Sequence, residues 1–284
     1  MYRNFSLTLL LVLLCIQLSA KDSGLQPYIG IHGGVNFTNV HVIQEFGIIT
    51  LISGDELPGR EYKPLFQNFG SQFGLSFFLE FNKHLALGFW PEFANYKYNY
   101  SSEIEYTDRL GEPASTSQNE GRVKLSYLNF PLVLQYTILD KPFSPYVFAG
   151  GAYGLRQSSL HTVNTTDTQI TASGEFPFST SYESVNVGFI RSKFSLLGGV
   201  GARYDFTGIK VALDFGYWLG MNNITDETNR YSDGEITGHT YEIPDDIKLD
   251  HLAVNLRLIF IVNTDEETKG ALDCIKFNFK RKKP

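Results

Sequence analysis

The feature that most constrains the fold of this chain is an alternation of bulky apolar residues with small or polar ones, repeated in about eight segments. Between Leu128 and Tyr136 every second residue is large and apolar, whereas Asn129 and Gln135 lie on the opposite side. A period of two is typical of β-strands, because successive side chains point to opposite faces. The sequence therefore predicts an all-β protein.

The predicted strands are joined by connections that alternate between short and long. The strands are predicted at 28–37, 69–81, 85–100, two within 127–156, 193–206, 209–219 and 251–260. Short links fall at 82–84, 140–145 and 207–208, and long polar loops at 38–68, 101–122, 157–187 and 222–249. An up-and-down meander with tight turns at one end and long loops at the other is typical of outer-membrane barrels.

The distribution of small residues predicts which face of each strand points outward. Glycine and alanine crowd the polar face, while the other face is bulky, aromatic and nearly free of charge. The interior of an eight-stranded barrel is just wide enough for side chains to fill, so small residues fit there and the bulky face meets lipid. We therefore predict a closed antiparallel up-and-down transmembrane β-barrel with short periplasmic turns and long extracellular loops.

Two alternatives to this fold remain at this point. Segments 46–53 and 274–280 could each add a strand, which would make a barrel of ten rather than eight. A small soluble lipocalin-like ligand-binding barrel is the second alternative. Such a barrel would be expected to carry Lys and Glu on its outer face, where this chain carries bulky apolar residues.

The start of the chain resembles a secretory leader. It has one basic residue, Arg3, then an apolar run from Leu7 to Leu14, and the small residue Ala20 before a polar one. The run is shorter than the roughly 20 apolar residues that a transmembrane helix needs. We predict a signal peptide at 1–20 that is cleaved on export, a barrel at 21–262 and a periplasmic C-terminal tail at 263–284. The predicted location is the outer membrane of a Gram-negative bacterium.

Charge and cysteine content exclude several classes of function. The net charge is −6, which disfavours nucleic acid as a partner. Of the two cysteines only Cys274 would survive removal of the leader, so no intramolecular disulfide is expected. The six histidines show no metal-binding spacing, and neither a metal nor another cofactor is predicted.

Charged residues on the predicted inner face form the candidate site of this chain. They are Glu80, Glu92, Arg203, Asp214 and Arg257. Buried charges are costly unless they are paired, so we expect a lumen polar network in which Asp214 reaches Arg257, with Glu80 and Arg203 nearer the periplasmic turns. Bulky Trp90 also points inward. The network predicts a closed lumen that does not conduct ions.

Five segments in the same order resemble the strand motifs of the PorT-like family of outer-membrane β-barrel proteins. They are "GIHGGVNFTN", "YLNFPLVLQY", "PYVFAGGAYG", "LLGGVGARYDF" and "LDFGYWLGMNNI". The resemblance covers most of residues 28–262 and implies a porin-like barrel without a cofactor. Some members of that family are tied to protein secretion. The expected partners are outer-membrane lipid and envelope or secretion-apparatus proteins, bound through the extracellular loops or the basic "KRKKP" tail.

The function predicted from the sequence is a structural, binding or secretion-accessory role rather than catalysis. The alternative is an outer-membrane lipid-modifying hydrolase, for which Ser195 and His251 could be recruited from the inner face. No nucleophile elbow surrounds Ser195, so no catalytic residue is assigned.

Overall fold

The structure is a computed structural model that describes residues 26–46, 59–107, 113–139, 141–171, 173–206, 209–240 and 242–261. The predicted leader, the predicted tail and the segment 274–280 lie outside these ranges, as does 46–53 apart from Phe46. Strands dominate the described part of the chain. Within it, no helix is long and apolar enough to span a membrane.

The strands are longest in the middle of the chain. In order they are β1 Gln26–Gln44, β2 Glu61–Tyr62, β3 Phe69–Glu80, β4 Leu85–Phe89, β5 Glu92–Thr107, β6 Pro113–Thr137, β7 Phe143–Thr171, β8 Gly174–Val185, β9 Ser192–Phe206, β10 Ile209–Gly220 and β11 Asp246–Ile261. A 3-10 turn at Leu65–Gln67 precedes β3, and a four-residue helix, α1 at Thr237–Thr240, precedes β11.

Antiparallel pairing closes the strands into a ring. β1 pairs with β3 on one side and with β11 on the other. From β3 the ring continues through β4 and β5 to β6, then through β7, β9 and β10 back to β11. β4 and β5 occupy one position in the ring, so it contains eight strand positions. The predicted eight-stranded antiparallel barrel is confirmed, with β2 and β8 as additions outside the ring.

The break between β4 and β5 falls at Trp90 and Pro91, where the regular hydrogen bonding to the neighbouring strands is interrupted. Proline has no N–H to donate, so a regular ladder cannot run through it. The Trp90 N–H donates to the Pro131 carbonyl at 3.1 Å, and the Leu75 N–H donates to the Pro91 carbonyl at 2.9 Å. These bonds keep the two halves in line, so together they occupy the place of the single strand predicted at 85–100.

The outer face carries a belt of exposed apolar residues, as the alternation predicts. Phe73 is 61% exposed and Leu132 is 53% exposed, although both lie in the middle of strands. On β6 the belt runs from Tyr136 near the short turn to Leu128, and on the β4 and β5 position its last apolar residue is Phe93. A continuous exposed apolar surface marks a contact with lipid or with protein, and a belt around a closed ring of strands is the lipid-facing band of a membrane barrel.

Two predicted loops, 101–122 and 157–187, are mostly strands, and this is a correction. β5 continues to Thr107 and β6 begins at Pro113, so these two form one long hairpin. β7 continues to Thr171 and pairs there with β8. The reason is that the outward face of these extensions meets water above the belt, and most buried residues of the inward face are polar, Asn119 and Thr165 among them. The apolar alternation that marks a membrane strand therefore disappears. We call the pair formed by residues 157–171 of β7 and by β8 the distal ribbon.

Candidate functional site

Asp214 and Arg257 form an ion pair inside the barrel. Arg257 Nη2 donates to Asp214 Oδ2 at 2.6 Å, and the two side chains are only 1% and 2% exposed. The Tyr146 hydroxyl donates to the other carboxylate oxygen, Oδ1. The guanidinium carbon of Arg257 lies 3.7 Å from the centre of the Trp90 ring. Hydrogen bonds and a cation–π contact therefore offset part of the hydration that both charges lose on burial. Arg257 Nε and Nη1 have no hydrogen-bond partner among the described residues.

A second group of charges lies nearer the short turns. Glu80 Oε1 accepts from Arg203 Nη1 at 3.0 Å and from Lys210 Nζ at 3.2 Å. Arg203 Nε lies 3.0 Å from Asp205 Oδ1. Lys210 Nζ also lies 3.8 Å from the centre of the Tyr28 ring. These two acids and two bases balance in charge at this end of the lumen.

Glu92 lies apart from both arginine groups. Its Oε2 is 3.2 Å from His32 Nε2, and its Oε1 accepts from Asn129 Nδ2 at 3.0 Å. The His32 ring is held from its other nitrogen, Nδ1, by Ser76 at 2.8 Å. The structure thus divides the five predicted residues into three groups, with Asp214 and Arg257 in one, Glu80 and Arg203 in another, and Glu92 in the third.

Lys193 is a buried basic residue that the predicted lumen network does not include. It is 2% exposed, and its ammonium lies 3.9 Å from the centre of the Tyr96 ring and 5.1 Å from that of Tyr127. Within the described residues its Nζ has no hydrogen-bond partner. Its inward position could be read from the alternation of β9, in which Phe194 points outward.

The residues of the hydrolase alternative, Ser195 and His251, do not form a dyad. The His251 ring stacks on Trp218 at 4.9 Å and lies 4.7 Å from the Tyr96 ring, centre to centre. Neither Ser195 Oγ nor His251 Nδ1 has a hydrogen-bond partner in the described part of the chain. Ser195 is 3% exposed and His251 is fully buried, so neither side chain is open to a lipid substrate.

A cluster of buried charges closes the barrel at the end opposite the short turns. We call Arg60, Tyr62, Tyr100, Glu242 and Asp245 the distal charge cluster. Arg60 Nη1 lies 3.0 Å from Asp245 Oδ1, and Arg60 Nε lies 3.7 Å from Glu242 Oε2. The hydroxyls of Tyr62 and Tyr100 donate to Asp245 and Glu242 at 2.7 Å and 2.8 Å. The cluster joins the segment before β3 to the segment before β11, two regions that sequence reasoning treats as separate loops.

His161 packs against this cluster from β7. Its Nε2 lies 2.8 Å from the Tyr100 hydroxyl. Burial lowers the pKa of His161 to about 4, opposed by the nearby Asp233 carboxylate and assisted by the Arg60 guanidinium. The imidazole is therefore neutral at pH 7. Within the described residues, no group of three or more His, Cys, Asp or Glu side chains could hold a metal ion.

Comparison with known proteins identifies the family. A family model with the description "Outer membrane protein beta-barrel domain" matches residues 22–226, which is more than half of the chain. The chain belongs to this family. No curated protein matches it.

Solved outer-membrane barrels are similar to this outer membrane β-barrel domain protein. The attachment invasion locus protein Ail of Yersinia pestis is 13% identical, with 83% of this chain and 99% of Ail covered and a TM-score of 0.30. OprG from Pseudomonas aeruginosa is 14% identical, with 84% of this chain and 96% of OprG covered and a TM-score of 0.33. The outer membrane protease OmpT from Escherichia coli is 10% identical, with 84% and 97% covered and a TM-score of 0.31.

Proposed function

We propose that this outer membrane β-barrel domain protein is a surface-recognition barrel that binds a polypeptide through its distal ribbon. In barrels of this kind the short turns face the periplasm and the long connections face the outside. By that rule the distal ribbon lies outside the cell. Thr171 is the last residue of β7, and at roughly 3.3 Å per residue the strand extends about 45 Å beyond Gln157.

The observation that carries the proposal is the free edge of β8 together with two exposed aromatic side chains. β8 pairs with β7 and stands at one end of the strand order, so its other edge has no partner strand in the described residues. Phe176 and Phe178 on β8 are 55% and 66% exposed. They share one face, because successive side chains alternate along a strand. An unpaired edge beside apolar side chains is suited to the addition of an extended segment of another protein.

The lumen supports a role without transport or catalysis. Trp90, Tyr96 and the Asp214–Arg257 pair fill its cross-section, and all four side chains are 4% exposed or less. The hydrolase alternative is less favoured, because Ser195 and His251 are buried and not bonded to each other. The lipid-facing belt and the family disfavour the soluble lipocalin-like alternative.

The PorT-like resemblance names one class of partner for this surface. Some members of that family are tied to protein secretion, so an accessory role in secretion is a specific form of the proposal. In that case the polypeptide on β8 would be an envelope or secretion-apparatus protein. Adhesion to an external protein is the other form, and the same experiment distinguishes the two.

The test is site-specific photo-crosslinking on intact cells. A photoreactive residue at position 178 should give an adduct with one defined protein, which mass spectrometry would identify. Phe176→Ser combined with Phe178→Ser should abolish capture of that protein. Tyr231→Ser is the matched control, because Tyr231 is also exposed, at 65%, but lies in the connection between β10 and β11.

Two results would contradict the proposal. One is the absence of any protein adduct at position 178 in folded, surface-displayed protein. The other is hydrolysis of a phospholipid or of lipid A by the purified protein, with loss of turnover in Ser195→Ala, which would put the hydrolase alternative first.

A further inference from the structure

A patch of basic side chains lies on the outer wall of the barrel, just above the lipid-facing belt. Lys97 on β5 is directly opposite Lys124 on β6, and Arg122 is opposite Asn99 in the same ladder. These residues continue the outward-facing rows that contain Phe93 and Leu128, since each lies an even number of positions from them. We call Lys97, Arg122 and Lys124 the basic patch.

Lys97 and Lys124 repel each other across the ladder, although Glu120 lies two residues beyond Arg122 on the same outward row of β6. Like charges directly opposite each other on a sheet repel. In the described part of the chain, none of these three residues forms an ion pair, which means that no carboxylate oxygen lies within 4 Å of their charged nitrogens. Among the described residues, the side chain of Arg122 has one long hydrogen bond, from its Nε to Asn99 Oδ1 at 3.4 Å. Lys63, which bonds Ser101 at 3.3 Å on the neighbouring strand, adds a fourth positive charge.

The height of the patch indicates what supplies the negative charge. Lys97 is four residues beyond Phe93, and Lys124 is four residues beyond Leu128. At roughly 3.3 Å per residue and a strand tilt of about 40°, the patch lies about 10 Å above the last apolar residues. That is the depth of the lipid headgroups rather than of the hydrocarbon or of bulk water.

We propose that the basic patch binds phosphate-bearing headgroups of outer-leaflet lipids. Phosphate oxygens accept hydrogen bonds from ammonium and guanidinium groups, and one phosphate between Lys97 and Lys124 would turn their repulsion into attraction. The lipid chains would then lie along Phe93 and Leu128 directly below. This inference is independent of the partner proposed for β8, because the patch lies on the outer wall and not on the distal ribbon.

The experiment measures binding of purified full-length protein to detergent micelles doped with phosphorylated lipid A. Lys97→Gln combined with Lys124→Gln should weaken binding about 25-fold, since each basic residue near an anionic membrane surface contributes about fivefold. The matched control is Lys83→Gln combined with Lys141→Gln, which changes the net charge equally at the short-turn end. The control should bind like the wild type, and enzymatically dephosphorylated lipid A should bind about as weakly as the patch variant. Heat-modifiability gels would establish that both variants are folded.

Three outcomes would overturn the inference. Equal losses in the two double variants would mean that only net charge matters. Equal binding of phosphorylated and dephosphorylated lipid would exclude the phosphate as the recognised group. Displacement of the lipid by the same concentration of inorganic phosphate, or by a soluble acidic protein, would indicate a free-anion or protein site instead of a lipid site.

Discussion

Arg257 Nη2 lies 2.6 Å from Asp214 Oδ2 across the β10–β11 ladder, at a point where both side chains are removed from water. Asp214 pairs in register with Asn255, so the arginine reaches across by two residues along the strand. This offset lets the guanidinium lie over Trp90 while it bonds the carboxylate.

The first prediction is that breaking this pair destabilises the barrel. Removing one partner of a buried ion pair typically costs about 3 to 5 kcal/mol, because the other charge is left buried alone. Arg257→Leu and Asp214→Ala should each lower the temperature at which the barrel unfolds on a heat-modifiability gel. Arg191→Leu, at an exposed arginine, is the control. We also expect the double variant to be less destabilised than either single variant. If the two single destabilisations simply added in the double variant, the result would argue against the pair.

The second prediction is that the wild-type barrel does not conduct. Aromatic side chains and the three charge groups fill the lumen, and eight strands leave no aqueous channel. Purified protein in a planar bilayer should give no stable single-channel current. Reproducible conductance steps would contradict a filled lumen.

The third prediction concerns two adjacent glycines on β7. A Cβ on Gly150 would collide with the Leu132 backbone carbonyl oxygen on β6, whereas one on Gly151 would come no closer than 3.8 Å to a neighbouring atom. Gly150→Ala should therefore reduce the yield of folded barrel from urea-unfolded protein, and Gly151→Ala should not. Comparable folding of the two variants would show that the strands can separate enough to accept the methyl group.

The fourth prediction is a pH dependence from His161. Its pKa is about 4 in the folded protein and about 6.5 when unfolded, so between these values only the unfolded state takes up the proton. The stability contributed by neutral His161 is thus complete above pH 6.5 and is lost as the pH falls toward 4. The unfolding temperature, followed by intrinsic fluorescence, should fall less between pH 7 and pH 4.5 in His161→Phe than in the wild type. Parallel curves would contradict the assignment.

The fifth prediction concerns orientation. In a Cys274→Ser background, a membrane-impermeant thiol reagent on intact cells should label Ser232→Cys and not Lys141→Cys. The first position lies in the connection before α1, and the second in the turn between β6 and β7. The reverse labelling would place the distal ribbon in the periplasm and would remove the basis of the proposed function.

Membrane immersion is the reason why the barrel strands could be predicted and the distal ribbon could not. Where one face meets lipid, Leu128 and Phe130 must be apolar, and the alternation is visible in the sequence. In the ribbon, Thr166 and Ser179 face water and bond each other at 3.1 Å, so their composition is that of a loop.

The height of each charged residue in the lumen can be predicted from the sequence, but a partner on a strand of the ring that is distant in the sequence cannot. Counting residues from the short turn brings Asp214 level with Arg257, and these two strands are neighbours in the chain. The partner of Glu92 depends on which strands face each other after closure. His32 lies on β1, the strand that closes the ring against β11, so no local pattern in the sequence links it to Glu92.

The continuity of β7 has a mechanical consequence. One strand runs from Phe143 at the short turn to Thr171 at the ribbon tip, with a one-residue register shift against β6 at Gln157. A pull on a partner bound at the tip would be directed along this strand, while its hydrogen bonds to β6 and β9 lie across it. Such a load is shared by many bonds in shear instead of opening them one at a time. With a partner bound at its tip, the ribbon would act as a tether that passes the load to the barrel wall.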